Sequence, residues 1–259
     1  MVDRDRFRTA LGCDPLYRPV TRVPQRGLSV HWRGHVFRFG AKSLPTYDPS
    51  AGLRLLLIVF LLEAVIGPRL WLFGLLGLPL PPSWLRVPLQ LGIALMLVPL
   101  FARLSLSRIG LYRWRAWSST EKSYFIQTFF IANVVFSVLF IDRLRAILAE
   151  PALWGRALPV LATSFLWGFY QEVVYRGILQ TELVRRMGSL RGILLANVLF
   201  AFGPLHFYHF YQPASALMFA GIFAIGLFFA VLFQRSGNLW MVGVFHGLGE
   251  SYILGTLEQ

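Results

Sequence analysis

FYQEVVYRGILQ, Phe169 to Gln180, places Gln171, Glu172 and Arg176 inside a run that is otherwise apolar and aromatic. An amide, a carboxylate and a guanidinium within a turn and a half of one helix need a reason wherever burial penalises all three. How severe the penalty is depends on the surroundings. The chain has 259 residues, of which 56% are hydrophobic and 14% charged, with a mean hydropathy of +0.59. Soluble domains carry about 25% charged residues, so this composition specifies a polytopic membrane protein. The stretch therefore lies at bilayer depth, where each ionisable group costs at least a few kcal/mol and marks a candidate functional site.

Working outward, a spanning helix needs about 20 mostly apolar residues. Seven segments qualify as expected spans: 53–78, 86–103, 123–141, 153–182, 190–207, 214–233 and 238–256. The first is interrupted by Gly67–Pro68–Arg69, and the fourth ends in TELVRR, which leaves the lipid. The expected fold is all-α, a membrane helix bundle of about seven transmembrane helices with the catalytic-type core in the last four. Residues 1–50 read as a basic, mostly cytoplasmic arm, and residues 51–259 as one transmembrane domain.

The formal charge of +13 does not indicate nucleic acid. Basic residues collect in cytoplasmic loops, where they set topology and meet anionic head groups, so membrane lipid is the expected partner. With the N-terminus in the cytoplasm, the inside holds nineteen Lys and Arg and the outside four, namely Arg86, Arg143, Arg145 and Arg156. That asymmetry orients the chain, and seven spans then put the C-terminus outside. The opening MVDRDRFRTALG has no apolar signal-peptide core, so no cleaved signal is expected. Cys13 is the single cysteine and cannot form an internal disulfide. His31 and His35 lack an acidic or thiol neighbour for a metal site, and VHWRGHVFRFG reads as a surface arm or a small hairpin.

Within the spans the ionisable residues are few. Glu63 and Arg69 share the first span and read as a structural pair. Glu172 and Arg176 are spaced i, i+4 in the fourth, which stacks an acid and a base on one face. FGPLH sets Phe202 and His206 one turn apart in the fifth, ahead of His209. FHGLGE stacks His246 and Glu250 in the seventh. Histidines on separate helices, joined by carboxylates and an amide, suggest a polar cavity where protons are exchanged and water is activated.

The run QEVVYRG, followed by FGPLH and then HGLGE, resembles the CAAX-protease and bacteriocin-processing family of intramembrane glutamic endopeptidases. That family's pattern is Glu-Glu-x-x-x-Arg, then Phe-x-x-x-His, then His-x-x-x-Asn or Asp. Gly177, Leu179–Gln180, RRMGSL and FQRSGNLW also look like it, and the likeness centres on residues 155–256. The resemblance implies that positions 171 and 206 activate a water, and that Glu172 and Arg176 hold the site together. It further implies that His246 and position 250 stabilise the oxyanion. The expected site residues are thus Gln171, Glu172, Arg176, His206, His246 and Glu250. The implied substrate is a membrane-anchored or lipid-modified protein or peptide, and the implied setting is a bacterial or archaeal plasma membrane. No cofactor is implied. No metal is expected either, although His206, His246 and Glu250 have the donor types of a zinc site.

Two positions depart from the family pattern. Gln171 stands where the base Glu belongs, and an amide cannot take a proton from water, though it offers two N–H donors. Glu250 stands where the family has Asn or Asp, and an ionised carboxylate cannot donate to an oxyanion. Three readings follow. The chain is a catalytically silent relative acting as a binding or immunity module; or Gln171 replaces a Glu to trap an inactive enzyme; or the roles are exchanged, with Glu250 as base and Gln171 as donor.

Overall fold

The computed structural model describes residues 47–66, 76–77, 79, 81–206, 210 and 215–253. The basic arm, Cys13, His31, His35, Arg69, the Gly67–Arg69 interruption and His209 lie outside the described residues. Nine α-helices are described: α1 (Pro49–Phe60), α2 (Ser83–Leu100), α3 (Ser119–Leu139), α4 (Ile141–Ala149), α5 (Pro151–Glu172), α6 (Thr181–Met187), α7 (Ser189–Phe202), α8 (Ser215–Ser236) and α9 (Leu239–Ile253). Two π-helical segments extend helices, Leu61–Ile66 after α1 and Val173–Gln180 between α5 and α6. No strand occurs among the described residues.

Local chemistry explains three of the helix starts. Asp48 caps α1, its side chain accepting from the Ser50 backbone N–H at 3.0 Å and the Ser50 hydroxyl at 2.7 Å. Those bonds hold the Asp48 carboxyl below its ordinary pKa. A capping box opens α3: the Glu121 N–H donates to Ser118 Oγ at 3.1 Å and the Ser118 N–H to Glu121 Oε2 at 2.8 Å, satisfying two otherwise orphaned donors. Pro151 occupies the first position of α5, where its missing N–H costs nothing.

Among the described residues three helices are long and apolar enough to cross a membrane: Ser83–Leu100, Ser119–Leu139 and Ala216–Ser236. Ser189–Phe202 is apolar but shorter. The fourth expected span is one continuous helical run from Pro151 to Met187, through α5, the π segment and α6. One element was not expected: α4 fills the stretch between the third and fourth spans, and Asp142 and Arg145 pair at its exposed surface, 3.7 Å apart.

The bundle is organised around α5, whose C-terminal half and π segment are buried and pack against α1, α2, α7 and α9. By contrast, Glu121 is the one buried residue of α3; Phe125 and Phe129 lean on the core, while Phe130, Ile131, Val134 and Val138 are exposed. Between α2 and α3 a basic loop docks on the start of α9. There the Trp240 and Trp117 indole N–H groups donate to the Tyr112 carbonyl at 3.1 and 3.4 Å, the interfacial placement favoured by tryptophan. At the start of α1, Tyr47 donates to Glu182 Oε2 at 2.7 Å. The Glu182 carboxylate also receives Arg185 Nε and Nη2 at 2.8 and 2.6 Å, and Arg186.

The most extensive helix contact among the described residues is between α5 and α9. Small residues allow backbones to approach in lipid, where packing replaces the hydrophobic effect as the driving force. A Cβ on Gly168 would stand 2.9 Å from the Gly247 backbone, and one on Gly243 would stand 2.7 Å from the Phe169 ring. Gly168→Ala is therefore expected to push α5 and α9 apart and to lower stability by about 1–3 kcal/mol, the usual cost of overpacking. Thermal melting in detergent reads this directly; an unchanged midpoint would mean that the pair tolerates separation.

Candidate functional site

Gln171 and Glu172 end α5, and Arg176 sits inside the π segment that follows. A π turn bonds i to i+5 and recurs at functional sites. Here it occupies the stretch between the carboxylate and the rest of the buried helix face. Thr181 Oγ1 reaches back to the Arg176 carbonyl at 3.2 Å. Gln171 is 2% exposed, and Glu172 and Arg176 are fully buried.

The expected i, i+4 pair is present: Arg176 Nε lies 3.4 Å from Glu172 Oε2. The guanidinium also donates from Nη2 to the Gly226 carbonyl at 2.8 Å, and it lies 4.3 Å over the Phe200 ring. Glu172 Oε1 bonds His246 Nδ1 at 2.7 Å, which joins the first and third motifs. One turn on, Glu250 Oε1 is 3.5 Å from His246 Nε2. Both His246 nitrogens thus face carboxylate oxygens, a pairing satisfied when each carries a hydrogen. The Phe229 ring stacks on the imidazole at 5.1 Å. Arg176, Glu172, His246 and Glu250 form an alternating chain of opposite charge types, which offsets part of the burial cost of each.

His206 reaches the site differently from the expectation. Helix α7 stops at Phe202, with Gly203 as its C-cap, and His206 follows in a turn. Its Nδ1 lies 2.7 Å from the Phe200 carbonyl. A carbonyl only accepts, so Nδ1 carries the hydrogen, and in the neutral ring Nε2 holds the lone pair. The aromatic partner is also not the one expected. Phe202 points away, 39% exposed, and stacks on Phe219 at 5.3 Å. Phe200 instead meets His206 edge-on at 5.0 Å and His246 at 6.2 Å. The two-residue difference arises because the helix ends before the motif histidine, so helical spacing does not apply across Gly203.

The structure thus links Glu172, Arg176, His246 and Glu250 directly and brings His206 to the same cluster through Phe200. Gln171 is buried beside Glu172. Glu172 is wholly enclosed, whereas the Glu250 side chain keeps 30% exposure. Among the described residues no group of three His, Cys, Asp or Glu side chains is arranged to hold a metal ion.

Sequence reasoning missed several residues of the surrounding shell. Gln180 Nε2 donates to the Ala230 carbonyl at 2.8 Å, and Asn197 Nδ2 to the Phe223 carbonyl at 2.9 Å. Together with Arg176 they bind one face of α8. Their signal is a fully buried amide in an apolar run, the same signal that singled out Gln171. Glu63 accepts from the Tyr175 hydroxyl at 2.8 Å through Oε2, and its expected partner Arg69 lies outside the described residues.

No curated protein and no solved structure matches the chain. Residues 152–251 match the family model described as type II CAAX prenyl endopeptidase Rce1-like. That range holds the π segment and nearly all of α5 and α9, and with them every residue of the cluster. Over the segment that carries all three motifs the chain is therefore similar to the type II CAAX prenyl endopeptidases, and the resemblance read from those motifs stands.

Proposed function

We propose that this protein is an intramembrane endopeptidase that cleaves a membrane-anchored or lipid-modified protein near its C-terminus. One observation carries the reading. Glu172 and His246 come from motifs 74 residues apart and bond at 2.7 Å in the buried core, so the polar residues form one site rather than isolated pairs. A buried set of carboxylates and imidazoles is the equipment for activating water and transferring protons.

Glu250 is the base in this reading. Glu172 is enclosed and held by His246 and Arg176, whereas Glu250 is the partly exposed carboxylate of the cluster. A water that donates one hydrogen to His206 Nε2 gives its other proton to Glu250 as its oxygen attacks the scissile carbonyl carbon. The Gln171 N–H donors meet the developing oxyanion, a service worth about 10²–10³ in rate where it has been removed elsewhere. The C–N bond then breaks, and Glu250 returns the proton to the leaving amine.

The test is cleavage of a prenylated C-terminal peptide by the protein in lipid vesicles, with products read by mass. The expected result is release of a C-terminal fragment by the wild type and none by His206→Ala. If neither the wild type nor Gln171→Glu cuts any lipidated peptide, the reading is overturned.

A further inference from the structure

The carboxylate that the three motifs leave unexplained is Glu63. It lies in the π segment Leu61–Ile66, outside the stretch that matches the family model, and is 7% exposed. Among the described residues its single hydrogen bond is from Tyr175; its Oε1 has no partner, and neither does the buried hydroxyl of Tyr170, which precedes Tyr175 on the same helical run. A buried carboxylate with one hydrogen bond is worse for stability than a well-packed apolar side chain. Among the described residues Tyr175 is thus the group through which Glu63 can act.

The partner of Glu63 leads to the site. Tyr175 is 1% exposed, and its ring packs edge-on against Phe200 at 5.2 Å. Phe200 touches His206, His246 and the Arg176 guanidinium, and its carbonyl accepts from His206 Nδ1. A phenol ring pinned at its hydroxyl end cannot swing, and a Phe ring held between that phenol and a guanidinium has little freedom of its own. The chain Glu63–Tyr175–Phe200 thus fixes the surface on which both histidines rest.

We propose that Glu63 is a positioning residue of the site, acting through Tyr175 and Phe200 to hold His206 in its Nδ1–H tautomer and His246 against Glu172. The first membrane segment is then a working part of the site and not only a scaffold. The inference deepens the proteolytic reading and rests on it for its kinetic consequence, but its structural content is measurable without any substrate.

The test uses the full chain and three variants: Glu63→Gln, which keeps an acceptor for Tyr175; Glu63→Leu; and the double variant Glu63→Leu/Tyr175→Phe, which leaves no orphaned hydroxyl. Outer partners of active-site groups typically affect function by about 10- to 100-fold. The expected result is a loss of about tenfold in kcat for the Leu and double variants, with KM within about twofold, and near-normal kcat for Glu63→Gln. The melting midpoint of the double variant should equal or exceed that of the wild type, the opposite of what a purely structural role would give.

In ¹⁵N-histidine-labelled protein, the wild type and Glu63→Gln should show a neutral Nδ1–H ring for His206, and the Leu variants a mixture of tautomers. Unchanged histidine spectra in the double variant overturn the proposal whether or not the protein cleaves anything. A double variant that is less stable but catalytically normal overturns it as well. Where the wild type fails to cleave, the proteolytic reading fails alone, and the histidine spectra still decide the role of Glu63.

Discussion

Glu250→Gln is expected to lose about 10²- to 10⁴-fold in cleavage rate, the usual worth of a general base, while the protein stays folded. The two halves of that expectation have separate grounds. The rate loss follows because an amide cannot accept the proton that the attacking water must shed. The intact fold follows because Glu250 keeps 30% side-chain exposure and stands 3.5 Å from His246 Nε2, a long contact compared with the 2.7 Å bond that anchors the other nitrogen to Glu172. Initial rates on a lipidated peptide, beside melting curves in the same detergent, measure both. The companion variant is Gln171→Glu. If Gln171→Glu switches on a silent protein and Glu250→Gln does it no harm, the exchange of roles is wrong. The natural protein is then one that keeps the pocket without the chemistry.

Arg176→Ala should have the largest effect on stability. It strips the fully buried Glu172 of its cation, frees the Gly226 carbonyl of a 2.8 Å hydrogen bond, and removes the charge held 4.3 Å over Phe200. Removing one partner of a buried ion pair costs about 3–5 kcal/mol, because the remaining charge stays desolvated. A large drop in the detergent melting midpoint and in folded yield is the expected outcome. Removing both charges by Glu172→Gln/Arg176→Met should recover part of the stability and none of the activity. An Arg176→Ala protein that melts like the wild type would show that the pair does not hold the site.

Both expectations started from residues that the sequence alone singled out, and the reason is physical. In an apolar helical chain a charged side chain is conspicuous, because the penalty for burying it is severe. Composition and segment length gave the helical class, and Glu172, Arg176, His246 and Glu250 stood out by charge and by i, i+4 spacing. What stayed hidden depends on backbone geometry or on distant pairing. The π segment Val173–Gln180 leaves no trace in periodicity, since all eight of its residues are buried. The end of α7 at Phe202 makes Phe200 the ring that meets His206. Glu63 finds Tyr175 across 112 residues, and no local pattern indicates such a meeting. The family likeness helped only where motifs exist, so it offered nothing for Glu63.

The three donors that bind α8 also settle a question raised by its composition. A long apolar helix in lipid can slide along its neighbours at small cost, because one leucine-sized surface is much like the next. Phe223, Gly226 and Ala230 present their carbonyls to Asn197, Arg176 and Gln180, so a slip of one residue would leave three buried donors unanswered at once. A slip of four residues would bring other backbone carbonyls to all three, but it would also put Ala230 or Ile222 where Gly226 now lies. A Cβ at that position would be driven into the Asn197 side chain and would come within 2.8 Å of the Phe200 ring, so Ala230 cannot take its place. The most apolar of the three candidate spans is therefore held in register by three buried donors and by the close approach of Gly226 to Asn197 and Phe200.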